Sequence, residues 1–459
     1  METRTERRSA LTIAMMSSFL TPFLASSIVV ALPTIGEEFS ISTIAASWIA
    51  NAYLLAAAAF LVPFGRIADI RGRKWLFLNG MWIFSAATAL CALAPSVETL
   101  LVFRVMQGMG SAMIFGTSVA IITSVYPPKE RGKALGLTTM LVYVGLSAGP
   151  VLGGTLTQFF SWRAIFVVVL PLCGAIMFVG YRWLHGEWRG AEGEKFDLVG
   201  SVVYGFSLTG IVLGLTFLPD LLALAVLVLG LAGILVFARL EKRTACPVLD
   251  TKLFSQNRAF AFSNVAALIN YSATFAVTFL MSFYLQVEKG FDANYAGIIL
   301  ISQPILMAVF SPVAGRLSDY FEPQYIASIG MAITATGLVL LALLTTDSSL
   351  LVIVASLAIL GFGFAFFSSP NTNAIMTSVE RKCYGIASAT VGTMRLIGQT
   401  LSIAVATLFI SIYVGNVEVA DMPIPEFHDA FRTSFVVFAA LCFIGVFASL
   451  ARGKVRESS

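Results

Sequence analysis

Two arginines lie where arginines are rare. Arg104 stands in RVMQGMGSA and Arg395 in GTMRLIGQT, each inside a long apolar run. A charged side chain within a membrane-spanning helix costs about 2.5–3.5 kcal/mol on insertion scales and is normally tolerated beside a partner or a cavity. Each arginine opens a polar face with spacing i, i+3, i+4, i+7: Arg104, Gln107, Gly108 and Ser111 in one run, Arg395, Gly398, Gln399 and Ser402 in the other. Arg395 stands ten residues past Gly385, about 15 Å along a helix and near half-depth of a ~30 Å hydrocarbon core. The spacing predicts two polar stripes lining one central cavity, against the plainer reading that each arginine only satisfies backbone carbonyls. Asn51, Tyr53, Tyr143, Asn264, Asn270, Tyr271 and Gln303 extend the candidate lining, although an interhelical hydrogen bond is the commoner fate of such residues.

The acids follow another pattern. Asp69, Glu98, Asp197, Asp220 and Asp319 are the carboxylates nearest the apolar runs, and all fall at run ends, while His185 and His428 fall in loops. Proton relays in membranes usually rest on Asp, Glu or His within a span, so Asp69 and Glu98 are the candidate proton groups left. Two arginines without a matching carboxylate favour an anionic or polar neutral ligand over a cation. The five cysteines show no metal-ligand spacing, and neither GxxxxGK[ST] nor HExxH occurs. No metal, no cofactor and no enzyme activity is expected.

The elements that must hold these residues are apolar runs. Of the 459 residues, 58% are hydrophobic and 12% charged, half the charged share of a soluble domain. Fourteen runs long enough to span a bilayer occur near 11–32, 45–64, 75–94, 98–125, 134–158, 162–184, 197–218, 221–239, 259–286, 293–313, 325–345, 349–369, 385–413 and 431–451. The expected fold class is therefore an all-α polytopic membrane protein. Apart from Arg104 and Arg395, the basic residues collect on one side, with only Arg163, Lys289 and Arg432 on the other. By the positive-inside rule both termini are cytoplasmic. The net charge of +4, scattered over short loops, gives no basic patch for nucleic acid.

The chain repeats itself. Gly65-Arg66-x-x-Asp69 after the second run returns as Gly315-Arg316-x-x-Asp319 after the tenth, and Thr123-Ser124-Val125 returns as Thr377-Ser378-Val379. Runs one to six match nine to fourteen, and half-to-half repeats of this kind are characteristic of carriers. The expected organisation is a six-helix bundle over 1–190, an inserted helix pair over 191–250 and a second six-helix bundle over 251–459.

With these motifs in place, the sequence resembles the major facilitator superfamily, and within it the fourteen-helix drug:proton antiporter branch. GRIADIRGRK, with Gly65, Arg66, Asp69, Gly72 and Arg73, is similar to the family's loop signature, and RVMQGMGSA to its fourth-helix motif. Gly145, Gly149, Pro150, Gly153 and Gly154 resemble the fifth-helix antiporter motif, and SWRAIF (161–166) the start of the sixth helix. Glycines four apart admit a neighbouring helix while the proline kinks the rod, so a packing face or a gate would both fit. The branch usually carries an acid shortly before Ala31-Leu32-Pro33, but Phe23-Leu24-Ala25-Ser26-Ser27 stands here. The resemblance implies a monomeric secondary transporter of the cell membrane, working by alternating access within the lipid bilayer, that exports amphipathic small molecules with protons as the candidate exchange ion. The alternative is a carrier or facilitator for an organic anion or lipid-like substrate. It further implies that Asp69, held by Arg66 or Arg73, latches the first half to the start of the thirteenth helix near Tyr384 and Gly385, with Gly315, Arg316 and Asp319 as the weaker counterpart. A carboxylate at a helix N-terminus contributes about 0.3–1 kcal/mol when exposed and up to ~2 when partly buried.

Overall fold

The computed structural model describes residues 4–244, 251–380 and 384–453. Among these residues the backbone is helical, with no strand beyond an isolated bridge between Ser42 and Glu418. Fourteen helices are long and apolar enough to cross a membrane. They are α1 (Arg4–Glu38), α2 (Thr43–Arg71), α3 (Arg73–Ala92), α4 (Val97–Val125), α5 (Pro128–Phe159), α6 (Arg163–Trp183) and α7 (Leu198–Phe217). The second set is α8 (Leu221–Glu241), α9 (Arg258–Glu288), α10 (Ala293–Tyr320), α11 (Pro323–Ala342), α12 (Leu350–Thr377), α13 (Tyr384–Tyr413) and α14 (Ile424–Ala451).

Local chemistry sets the ends. Ser42, Ser96, Asp197, Asp220 and Asn257 each accept a backbone N–H of the helix they precede, which satisfies amides that have no intrahelical partner. The apolar run at 431–451 is only part of α14. That helix starts at Ile424 with proline in its first turn, a position where the missing amide costs nothing. His428, expected in a loop, is therefore helical. α9 changes to a π-helical turn at Tyr284–Glu288, and α10 tightens at Ile301, shortly before Pro304 removes a ladder donor.

α1–α6 pack on one another, as do α9–α14, and α7 and α8 pair with each other while α7 also touches α2 and α13. Leu222 and Leu229 of α8 are each 71% exposed, as befits a lipid-facing pair. An even number of spans leaves both chain ends on one face, here the terminal face, opposite the far face.

The two bundles meet tightly toward the far face. Ala293 and Asn294 at the start of α10 press on Gly154, where an added Cβ would lie 2.3 Å from the Ala293 carbonyl. One turn on, a Cβ on Gly297 would lie 2.2 Å from the Pro150 carbonyl. Thr155 donates to Asn294 Oδ1 at 3.0 Å, Gln286 Nε2 to the Val30 carbonyl at 2.9 Å, and Val419 N to the Ile41 carbonyl at 3.0 Å. Gly145, Gly149 and Gly153 serve a different joint, packing α5 against Phe19, Ser26 and Ser27 of α1 in the same bundle. The fifth-helix motif thus splits between an internal seam and the seam between bundles.

A side chain at position 297 must separate α5 from α10, because the atom it meets is backbone. In Gly297→Val, a cysteine placed at Val29 becomes labelled by an impermeant thiol reagent from the far face at least fivefold faster than in the parent. Unchanged labelling would show that this contact does not hold the face shut.

Candidate substrate cavity between the two bundles

A cavity of about 250 Å³ lies between the bundles. Tyr53 of α2, Ser111 and Phe115 of α4, and Tyr143 of α5 form one wall; Tyr271 and Phe275 of α9, Gln303 of α10, Phe364 and Ser368 of α12, and Arg395 and Gln399 of α13 form the other. The lining runs to Met376 and Ser388, within about a turn of the terminal-face helix ends, and stops at Val29, Pro150 and Leu300, below the far-face seam. It therefore opens toward the terminal face. Tyr143 and Ser368 share a hydrogen bond at 3.1 Å across the two bundles. Among the described residues, Arg395 is the one charged residue in the lining.

The two arginines have separate fates. Arg395 faces the cavity, with its guanidinium carbon 4.6 Å from the centre of the Phe115 ring. Arg104 is fully buried and does not line the cavity. It donates to the Ile49 carbonyl at 2.8 Å and to Gln107 Oε1, and stacks 4.5 Å from the Tyr53 ring centre. Gln107 in turn donates to Thr88 at 2.7 Å. The expectation that Arg104 and Gln107 line the cavity is corrected: α2 and α3 close over that face of α4, and only Ser111, a turn further on, reaches the opening. Ser111 accepts from the Tyr53 hydroxyl at 2.8 Å.

Asn264 and Asn270 are corrected likewise. Both are fully buried in α9 outside the lining, and Asn264 donates to the Phe260 carbonyl at 2.9 Å. Asn51 is buried away from the cavity too, whereas Tyr53, Tyr143, Tyr271 and Gln303 line it. The aromatic lining residues Phe115, Phe275 and Phe364 had no sequence signal, because a phenylalanine in an apolar helix reads the same whether it meets lipid, core or cavity.

The loop after α2 docks on its own bundle. Asp69 accepts from Arg73 at 2.8 and 3.0 Å, and Arg73 also donates to Ser124 at 2.6 Å and to the Ala120 carbonyl at 3.1 Å. Arg66 pairs with Glu194 instead. Glu187 accepts the amides of Lys74 and Trp75 and so caps α3. Gly72 has φ +128°, and a Cβ there would strike Glu187, so glycine is required twice over. In the second half Asn373 bridges Ser318 and Asp319 at 2.8 and 3.4 Å, while Gly315 lies against Ser369. The latch expected near Tyr384 and Gly385 falls on residues whose surroundings lie outside those described.

The acids lie away from the cavity. Glu98 is exposed in the first turn of α4, at the far face, and Asp69 is half-buried at the terminal face. Glu288, passed over in the sequence, has a side chain with no exposure and meets His428 Nδ1 at 3.0 Å, tying the end of α9 to the first turns of α14. Its burial follows from α14 starting early.

Fourteen membrane-length helices, two six-helix bundles around a cavity that opens toward the terminal face and a helix pair beside them, define a multi-pass membrane carrier. The chain belongs to the Major Facilitator Superfamily, whose family model matches residues 14–249 and 264–459; it is a transporter and not an enzyme. The riboflavin transporter RibZ of Clostridioides difficile (strain 630) is 29% identical over 443 residues, covering 95% of each chain. The multidrug resistance protein Stp of Mycobacterium tuberculosis (strain H37Rv) is 30% identical over 386 residues, covering 82% of this chain and 71% of its own. A bacterial homolog of the human lysosomal transporter Spinster, solved in an inward-facing, unoccupied conformation, shares the fold with a TM-score of 0.70 at 18% identity over 98% of each chain.

The contrast between the arginines can be measured in the purified protein. Arg104→Ala leaves the Ile49 carbonyl and Gln107 without their partner, which costs about 1–3 kcal/mol per buried group; its thermal midpoint falls by several degrees. Arg395→Ala leaves the midpoint within about 2 °C of the parent. Equal losses would place both arginines in the same structural class.

Proposed function

We propose that the protein is a secondary transporter of the plasma membrane that exports amphipathic small molecules by alternating access. The observation that carries this reading is the cavity open to the terminal face and stopped at the far-face seam, where glycine meets carbonyl. Lys and Arg crowd the terminal-face loops, so that face is cytoplasmic and the state described here loads from inside. Residues 1–190 and 251–459 rock as two bodies, 191–250 ride between them, and the protein acts as a monomer.

The lining supports an amphipathic substrate. Aromatic rings alternate with Ser, Thr, Gln and Tyr groups, a mixture that takes apolar area and orients one polar edge. The relatives' names, riboflavin transporter and multidrug resistance protein, agree with ring-bearing cargo. Exchange for protons rests on the resemblance to the antiporter branch. Among the described residues no Asp, Glu or His stands in the lining, so an exchanged proton is assigned to Asp69, whose ion pair with Arg73 also sets the cytoplasmic latch.

In this scheme Asp69 is held ready by Arg73 in the inward-open state and turns to the α13 N-terminus when the cytoplasmic face closes. Removing its charge forfeits about 0.3–2 kcal/mol of outward-open stability, a shift of roughly two- to thirtyfold. In everted vesicles the parent accumulates substrate, while Asp69→Asn accumulates it more slowly and labels faster at a cysteine in place of Ser388. Labelling identical to the parent would remove Asp69 from the latch, and absence of accumulation by the parent would overturn export.

A further inference from the structure

We propose that the cavity selects planar aromatic compounds bearing a delocalised negative charge beside the ring, with Arg395 as the anion-docking residue. This deepens the export reading above and rests on it.

Arg395 stands in the cavity wall without a protein partner for its donors among the described residues. Among the described residues its guanidinium meets no carboxylate and no hydrogen-bond acceptor, only the face of Phe115. A buried or half-buried arginine normally finds a counter-charge. Arg104 also lacks a counter-charge, but it donates to a backbone carbonyl and an amide oxygen and stacks on a tyrosine ring. Arg395 is left with its in-plane N–H donors unspent, and a face-on ring contact leaves those donors directed outward. A carboxylate or an ionised phenol or imide can accept from that fork, and a carboxylate can do so with both oxygens.

The surroundings select flat ligands. α13 carries glycine on either side of Arg395, and aromatic residues use the room. An added Cβ on Gly392 would lie 2.7 Å from Phe115 Cε1, and one on Gly398 would lie 2.7 Å from Tyr271 Cβ. Phe115 comes from the first bundle and Tyr271 from the second, and Tyr271 meets Phe364 edge-on at 5.6 Å between centroids. The Phe115 face thus covers the arginine while Tyr271 and Phe364 line the same cavity from the other bundle, and Gln399, one turn along α13, offers both a donor and an acceptor to a polar edge. A cation entering the same space would find no carboxylate among the described lining residues and would meet the arginine's field in a medium of low dielectric.

Fluorescein and rhodamine 123 share a xanthene core and differ in charge, which makes them suitable probes. Binding of each to the purified full-length protein is followed by fluorescence anisotropy near pH 8. The proposal predicts that fluorescein binds at least tenfold more tightly than rhodamine 123. Arg395→Gln then loses at least tenfold of the fluorescein affinity without weakening rhodamine 123, and Arg395→Lys, which keeps the charge but not the fork, recovers part of the loss. Tighter binding of rhodamine 123, or fluorescein binding indifferent to Arg395→Gln, overturns it. Accumulation of fluorescein in everted vesicles is scored separately: arginine-dependent binding without accumulation would keep the site and sink export, whereas accumulation of rhodamine 123 alone would keep export and sink the site.

Discussion

The rest of the structure depends on how closely α5 and α10 approach at the far face. A membrane interior offers no water to backbone polar groups, and no hydrophobic force draws helices together there, so association relies on close packing and small residues. Gly154 and Gly297 allow a helix backbone of one bundle to touch a carbonyl of the other, and Thr155–Asn294 and Gln286–Val30 add hydrogen bonds around that contact. Because the bundles are pinned at one face, the space between them widens toward the other. The cavity and its direction of opening follow from that pin.

Within the cavity, polarity is provided almost entirely by neutral groups. Among the described residues the one charge facing that space is Arg395, on which the proposed preference for anions rests. The shared spacing of Arg104, Gln107, Gly108 and Ser111 and of Arg395, Gly398, Gln399 and Ser402 would have predicted equivalent roles for the polar stripes of α4 and α13. The stripes diverge because α2 and α3 cover the first turns of the α4 stripe, so Arg104 becomes part of the framework that holds Tyr53 and Ser111 in the wall. Identical spacing on two helices therefore yields a fully buried arginine in one bundle and a cavity-facing one in the other.

Much of the fold was legible in the amino-acid sequence. The fourteen spans and the loop signatures are written in long apolar runs and in short polar motifs between them, which the bilayer constrains strongly. What could not be read was rotational: whether the face carrying Arg104, Asn264 or Asn270 meets a neighbour or the opening depends on which helix lies across it, and helical period alone does not carry that. The burial of Glu288 was missed for a related reason. It requires His428 to be helical, and the apolar run stopped short of the polar first turns of α14. The fifth-helix glycines were read as one motif, yet Gly154 alone of the four crosses to the other bundle.

In the proposed transport cycle the far-face seam is a gate that opens in every turnover. It is tested most directly by a reversible lock across it: cysteines at Thr155 and Asn294, whose side chains meet at 3.0 Å, introduced with the five native cysteines replaced. Oxidation of Thr155→Cys/Asn294→Cys should reduce substrate accumulation in everted vesicles at least tenfold, and reductant should restore it, while binding from the cytoplasmic face persists throughout. Full transport by the cross-linked protein would contradict the account.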